Sequence, residues 1–264
     1  MVIGYDLSID VEKVERKILD FIVEYVRKTG SSGVVVGLSG GVDSSTVATL
    51  CTKALGKDMV FAMIMPEEGV TPEEDVKDAL MLAERLGLKH GFIKINDLYG
   101  NFVNHLNWVR SNVVVQGNLK ARIRMCILYY VANSLNMLVA GASDRSEILI
   151  GYFTKYGDGG VDFLPIGGLY KTQVRMLAAH LGLPKHIVEK PSSPRLWAGH
   201  TAEGELGLSY EIIDQVLHGL FDRKFSYAKV AEDVGVSVEV VKSIANRVRK
   251  SGHKRRTPPI APVK

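Results

Sequence analysis

The feature that most narrows what this chain can fold into lies between residues 34 and 55. Val34-Val35-Val36 is a β-branched run of the kind found in strands buried on both faces. It passes through Gly37 and Leu38 into Ser39-Gly40-Gly41-Val42-Asp43-Ser44, and a helical pattern follows from Thr46 to Leu55. A strand, a glycine loop and a helix in that order bring backbone N–H groups and the positive end of a helix to one point, where an anion can sit. Ser39 and Ser44 add hydroxyls. The loop is neither GxxxxGK[ST] nor GxGxxG, and neither pattern occurs elsewhere in the chain. Instead an acid, Asp43, lies inside the phosphate cradle. A carboxylate beside phosphates needs a cation between them, and Mg²⁺ is the usual one. A plainer alternative is a turn that uses Gly-Gly for its geometry and serine as a helix cap.

The same alternation continues. Val11 to Lys28 has helical spacing and ends at Gly30-Ser-Ser-Gly33. Met59 to Met65 reads as a strand, and Thr71-Pro-Glu-Glu74 opens a helix that Gly87 stops. Phe92 to Ile95 reads as a strand, Gly117 to Leu135 as a long helix, and Met137 to Ala140 as a strand closed by Gly141. This rhythm predicts an α/β fold: a Rossmann-like, doubly wound parallel sheet with helices on both faces. Ligands in such sheets bind at the carboxyl ends of strands, here the loops after Val36, Met65 and Ala140. Lys190 to Gly204 is rich in Pro, Ser and Gly and reads as a loop. Ser209 to Arg249 is helical, and the tail His253-Lys-Arg-Arg-Thr-Pro-Pro259 is read as non-helical.

With 264 residues, 46% of them hydrophobic, the chain can bury one sizeable core, and a single domain over 1–264 is expected. The net charge of +4 suits polyanionic ligands without pointing to nucleic acid. Cys51 and Cys126 sit in apolar helical patterns and are read as buried free thiols. There is no zinc spacing, no disulfide framework, no secretory signal and no apolar run long enough for a membrane, so a cytoplasmic protein is expected.

Ser39-Gly-Gly-Val-Asp-Ser44 resembles the pyrophosphate loop of the N-type ATP pyrophosphatases, which cleave ATP between the α and β phosphates and adenylate an oxygen of their substrate. Four further segments resemble the NAD synthetases within that group. They are Gly117 to Met125, Glu147 to Asp162, Leu164 to Gln173, and His253 to Pro259. The resemblance runs the whole chain in order. It implies an adenine-nucleotide α-hydrolase-like fold with a helical C-terminal extension, a ligase reaction, ATP and deamido-NAD as substrates, Mg²⁺, and a homodimer.

The resemblance also assigns roles. Gly37 to Ser44, Lys171 and Ser192 would contact ATP. Many relatives have threonine where this chain has Ala142, which leaves only a backbone contact there. Asp43 and Glu147 would hold Mg²⁺, although Glu147 alone is equally an ordinary first-turn helix acid. Arg122, Lys155, Asp162, His253 and Lys254 would hold deamido-NAD. Arg122 and Arg124 point in different directions on one helix, so one binds while the other is structural, and the family pattern favours Arg122. Asp158 would receive ammonia and help remove the proton from ammonium, and as a bare sequence its segment is a tight polar turn. Lids are expected at Pro191–Gly204 or Glu67–Glu73. Only one helix precedes the ATP loop, which leaves no room for a glutaminase domain and points to free ammonia or ammonia from a partner. The apolar helix Ile123–Leu135 is an interface or core.

Ser226 to Lys250 has the outline of a helix-turn-helix with basic residues after it. Its second helix offers few base-reading side chains, and a basic tail serves a dinucleotide pyrophosphate as well, so no nucleic-acid partner is expected.

Overall fold

The computed structural model describes residues 4–263 other than Ala198. Strands β1 (Val34–Gly37), β2 (Val60–Ile64), β3 (Lys89–Phe92) and β4 (Leu138–Ala140) form a wholly parallel sheet in the order β3-β2-β1-β4. The chain therefore winds one way from β1 to β3 and returns to the other side of β1 with β4. The gap between the carboxyl ends of β1 and β4 is the topological switch point, where such sheets open a crevice.

Val34, Val35 and Val36 are all fully buried because both faces of β1 are covered. Val34 and Val36 face one layer, built on α1 (Val11–Thr29), α2 (Val42–Leu55), α3 (Glu73–Leu86) and α7 (Lys171–His180). Val35 points the opposite way, into a smaller cluster with Met63, Val139 and Ala132 of α5 (Val113–Ser134). α4 (Asn96–His105) leads into α5. A second core joins α6 (Arg145–Ile150) to the C-terminal helices α9 (Ala202–Leu206), α10 (Tyr210–Leu217), α11 (Tyr227–Val234) and α12 (Val238–Lys250), while α8 (Lys185–Val188) precedes the long loop. The α/β expectation and the helical extension are both present.

Several local expectations are corrected. α2 begins at Val42 rather than Thr46, so Asp43 and Ser44 lie in its first turn. The edge strand is Lys89–Phe92, not Phe92–Ile95. It is largely exposed and lacks the apolar signature of a strand, although the Ile93 and Ile95 N–H groups go on bonding to the Ile64 and Pro66 carbonyls. α3 starts at Glu73, and the Thr71 hydroxyl accepts the Glu67 N–H instead of capping the helix. The helical stretch after Ser209 is broken by a π-turn at His218–Asp222. The tail includes a 3₁₀ turn, Ser251–Arg255, because the prolines that forbid helix begin only at Pro258. Cys51 is buried and its thiol is pushed up to about 12 by burial, but Cys126 is exposed, on the outward side of α5.

Gly40 shows how tightly the loop is held. Its φ is +77°, and a Cβ there would stand 2.1 Å from the Asp75 carbonyl oxygen on α3. Gly40→Ala should therefore cost about 1–3 kcal/mol and lower the melting temperature by roughly 2–10 °C. A thermal melt followed by circular dichroism checks this, and an unchanged midpoint would contradict it.

Candidate active site

The carboxyl ends of β1, β2 and β4 open into a cleft of about 500 Å³, within the range of small-molecule sites. All three loops singled out from the sequence line it. Gly37, Leu38, Ser39, Gly41, Val42, Asp43 and Ser44 form one wall, and Ala142, Glu147, Asp158, Ser192 and Lys254 face the same space. The first loop is closed on itself: the Ser44 Oγ accepts the Ser39 N–H at 3.1 Å and lies 2.9 Å from the Ser39 Oγ. Those hydroxyls thus shape the loop, leaving the amino end of α2 to face an anion.

Behind the cleft wall, without lining it, is Lys171, wholly buried at the start of α7. Its Nζ lies 2.6 Å from Asp43, 2.8 Å from Asp144 and 2.9 Å from Glu147. Burial alone would depress this ammonium, but Asp144, Asp43 and Glu147 outweigh it and hold it well above its ordinary value. Burial raises Glu147 well above the usual carboxylate range and raises Asp144 as well, against the pull of Lys171. Three acids thus crowd round one ammonium. The Asp43 Oδ1 and Asp144 Oδ2 accept no hydrogen bond, although the latter lies within ion-pair distance of Lys171.

Among the described residues no three His, Cys, Asp or Glu side chains surround an open cation position, because these carboxylates surround the Lys171 ammonium. The oxygen donors and the free Asp43 Oδ1 fit a hard divalent cation at Asp43 and Glu147. Asp144 was not anticipated. Its signal was present as Asp144-x-x-Glu147, the spacing of a capping box, and here each side chain accepts the other's backbone N–H.

Asp158 is an exposed residue that lines the cleft. Burial raises it above its ordinary value, opposed by the N–H of Thr154, which donates to Oδ1 at 2.8 Å, and by Lys254. Lys254 is held by donating to the Gly151 and Phe153 carbonyls. Ser192 is buried, and among the described residues its Oγ has no hydrogen-bond partner. Lys190, also unanticipated, anchors the loop that follows it: its Nζ donates to the Gly40 carbonyl at 2.9 Å and to Asp75 at 2.8 Å. Arg195 reaches the same Asp75 at 2.8 Å.

The expected deamido-NAD residues divide. Arg122, Lys155 and His253 gather at the surface outside the cleft, with Arg122 donating to the Lys155 carbonyl and the Lys155 Nζ to the His253 carbonyl. Arg124, read as the structural arginine, is the one that lines the cleft, with Nε on the Met65 carbonyl at 3.0 Å. Asp162 turns away: its oxygens accept the Val139 N–H at 2.7 Å and the Tyr129 hydroxyl at 3.1 Å. It braces β4 rather than presenting charge to a ligand.

Comparison with known proteins agrees with this geometry. Residues 14–258 match the family model described as NAD synthase. The NH(3)-dependent NAD(+) synthetase of Hyperthermus butylicus is 52% identical over 96% of this chain and 91% of its own length. The NH3-dependent NAD synthetase of Campylobacter jejuni superposes with a TM-score of 0.82 at 35% identity, covering 96% of this chain and 100% of its own. The NMN synthetase of Francisella tularensis superposes at 0.85 with 32% identity, over 97% and 100%. With a strand–loop–helix phosphate cradle, an acidic cluster beside it and likeness along nearly its whole length, the chain belongs to the NAD synthase family.

Proposed function

We propose that this enzyme amidates deamido-NAD with free ammonia at the expense of ATP, releasing NAD, AMP and pyrophosphate. The observation that carries the reading is the placement of Asp43, Glu147 and Lys171 against the Ser39–Ser44 loop, at the mouth of which Asp158 is also found. A carboxylate is a poor electrophile because its charge repels nucleophiles. The nicotinate carboxylate attacks the α-phosphorus of ATP, pyrophosphate leaves, and the acyl-adenylate formed is open to ammonia. Loop N–H groups and the amino end of α2 stabilise the departing pyrophosphate. Asp43 and Glu147 would hold Mg²⁺, which would supply charge neutralisation for the phosphates. The Lys171 ammonium, held by Asp43, Asp144 and Glu147, supplies positive charge behind the loop.

Asp158 holds ammonium and accepts its proton, since only the neutral amine attacks; its raised affinity for protons suits that task. AMP then leaves from the carbonyl carbon. Water must be kept from the adenylate, and the segment after Lys190, tied down through Asp75, is placed to cover the cleft. The unpartnered Ser192 hydroxyl is a contact for ATP. Arg122, Lys155, His253 and Lys254 form the dinucleotide end of the site, with Arg124 now added. The whole of 1–264 serves this one reaction.

Homodimerisation is part of the reading. An apolar surface runs from Phe92 through Leu98, Phe102 and Leu106 to Trp108 and Val113–Val115, each more than a third exposed. It covers α4 and the beginning of α5, whereas the expected stretch Ile123–Leu135 is mixed, with Ile123 buried and Tyr130 exposed. No helix among the described residues is long and apolar enough to cross a membrane, and a cytoplasmic site suits an enzyme that uses ATP.

The likeness to an NMN synthetase favours one second reading, in which the mononucleotide counterpart of deamido-NAD is the substrate. An assay with ATP and Mg²⁺ should give NAD from deamido-NAD with ammonium chloride, but not with glutamine, and one AMP per NAD. Faster turnover of the mononucleotide would favour the second reading, and no amide from either would refute both.

Asp43→Ala and Glu147→Ala should each lose at least about a hundredfold in kcat with an unchanged circular dichroism spectrum; wild-type turnover in either would remove the metal site. Lys171→Met leaves the buried Asp144 and the half-buried Asp43 and Glu147 without their partner and should cost about 3–5 kcal/mol. In a thermal melt, millimolar Mg²⁺ should recover more of that loss than it adds to the wild type. Equal effects on both proteins would speak against a cation among these carboxylates.

A further inference from the structure

Asp214 lies on α10, in the C-terminal helical core, far in sequence from every residue of the cleft. It is wholly buried and does not line the cleft. Both of its carboxylate oxygens are spent on the elements that carry the reactive cluster. Oδ1 accepts the Ser146 hydroxyl at 2.5 Å, and Oδ2 accepts the Thr172 N–H at 2.9 Å. Ser146 in turn accepts the Lys171 N–H on the same Oγ, at 3.0 Å. Ser146 sits between Asp144 and Glu147 in the first turn of α6, while Lys171 and Thr172 open α7. One carboxylate thus fixes the distance between the turn that carries two of the acids and the turn that carries the lysine.

The first turn of α6 is closed by the Asp144–Glu147 box and the start of α7 by the Gln173 side chain, which accepts the Tyr170 N–H, but neither contact joins one turn to the other. Both are helix starts, where backbone N–H groups lack partners within the helix. The positive end of α7 also favours an anion beside it. A second link reinforces the first. Asp222, in the π-turn after α10, forms an ion pair with Arg145 and accepts the Tyr170 hydroxyl at 2.7 Å. Residues 145 and 146 on one side, and 170 to 172 on the other, are therefore clamped by the same C-terminal segment. π-turns of this kind recur at functional sites.

We propose that Asp214 is a positioning residue, which sets the Lys171 ammonium against Asp43 and Glu147 and so controls the rate of the chemical step without touching substrate. A carboxylate buried this deeply is costly unless its hydrogen bonds repay it. An apolar side chain would fill the space without joining the two turns. The inference rests on the reading of the cleft as an amide-forming site, and it gives the helical extension a part in catalysis.

The test uses steady-state kinetics on purified full-length proteins, with wild-type NAD formation as the control for the reaction itself. If the wild type makes no amide, the functional reading fails. If it does, the variants judge Asp214 alone. Asp214→Asn should lower kcat at least tenfold, with KM for deamido-NAD and for ATP within about threefold of wild type. Ser146→Ala, a milder change, should lower kcat at least threefold with the same unchanged KM values. Because Ser146 acts through Asp214, the double variant should have a kcat within about twofold of Asp214→Asn. A stabilising role without positioning predicts a lower melting temperature, a kcat per folded molecule within twofold of wild type, and losses that multiply in the double variant. Either of the last two results would overturn the proposal. If Asp214→Asn does not fold, Ser146→Ala decides, and a wild-type kcat in that variant would overturn it.

Discussion

The structure around the cleft depends on one interaction, the burial of the Lys171 ammonium among Asp43, Asp144 and Glu147. Removing these charges from water is expensive, and the cost is recovered only where opposite charges and hydrogen bonds are in place. The cluster thereby dictates how three remote parts of the chain meet: the loop after β1, the turn after β4 and the start of α7. It also sets three acids beside the Ser39–Ser44 loop, where the proposed divalent cation and nucleotide would meet.

The rest of the fold can be understood as support for that meeting. The parallel sheet order β3-β2-β1-β4 places the loops after β1 and β4 side by side at the switch point. Gly40 allows the first loop to lie against α3, and Lys190 ties the covering segment to both. The C-terminal helices enclose a separate core, and through Asp214 and Asp222 they reach the two turns that carry the acids and the lysine.

Much of this was legible in the residues. The valine run, the glycine loop and the repeated strand–helix rhythm predicted the sheet and its productive edge, because burial on both faces leaves a continuous apolar signature. Asp43, Glu147 and Lys171 were read as partners of phosphate and metal, and they do converge. Their mutual ion pairing was not legible, since only the folded chain shows that Lys171 faces acids rather than solvent. Asp144 was hidden behind its role as a helix cap. Arg122 and Arg124 differ by about 200° around α5, and spacing alone cannot say which direction meets the cleft. Asp162 was assigned to deamido-NAD by resemblance alone, and in the fold its oxygens accept the Val139 N–H and the Tyr129 hydroxyl. β3 was misplaced because an exposed edge strand carries little apolar pattern, and Cys126 because α5 is apolar on more than its core side.

The central claim is that the cleft activates a carboxylate by joining it to AMP. The most direct measurement starts from deamido-NAD whose nicotinate carboxylate is labelled with ¹⁸O, turned over with ammonia and ATP, followed by mass spectrometry of the products. Attack of that carboxylate on the α-phosphorus, and later displacement by ammonia, carries one labelled oxygen into AMP. The account predicts AMP heavier by one ¹⁸O and unlabelled pyrophosphate. Label in a phosphate or pyrophosphate product, or AMP free of label, would contradict it.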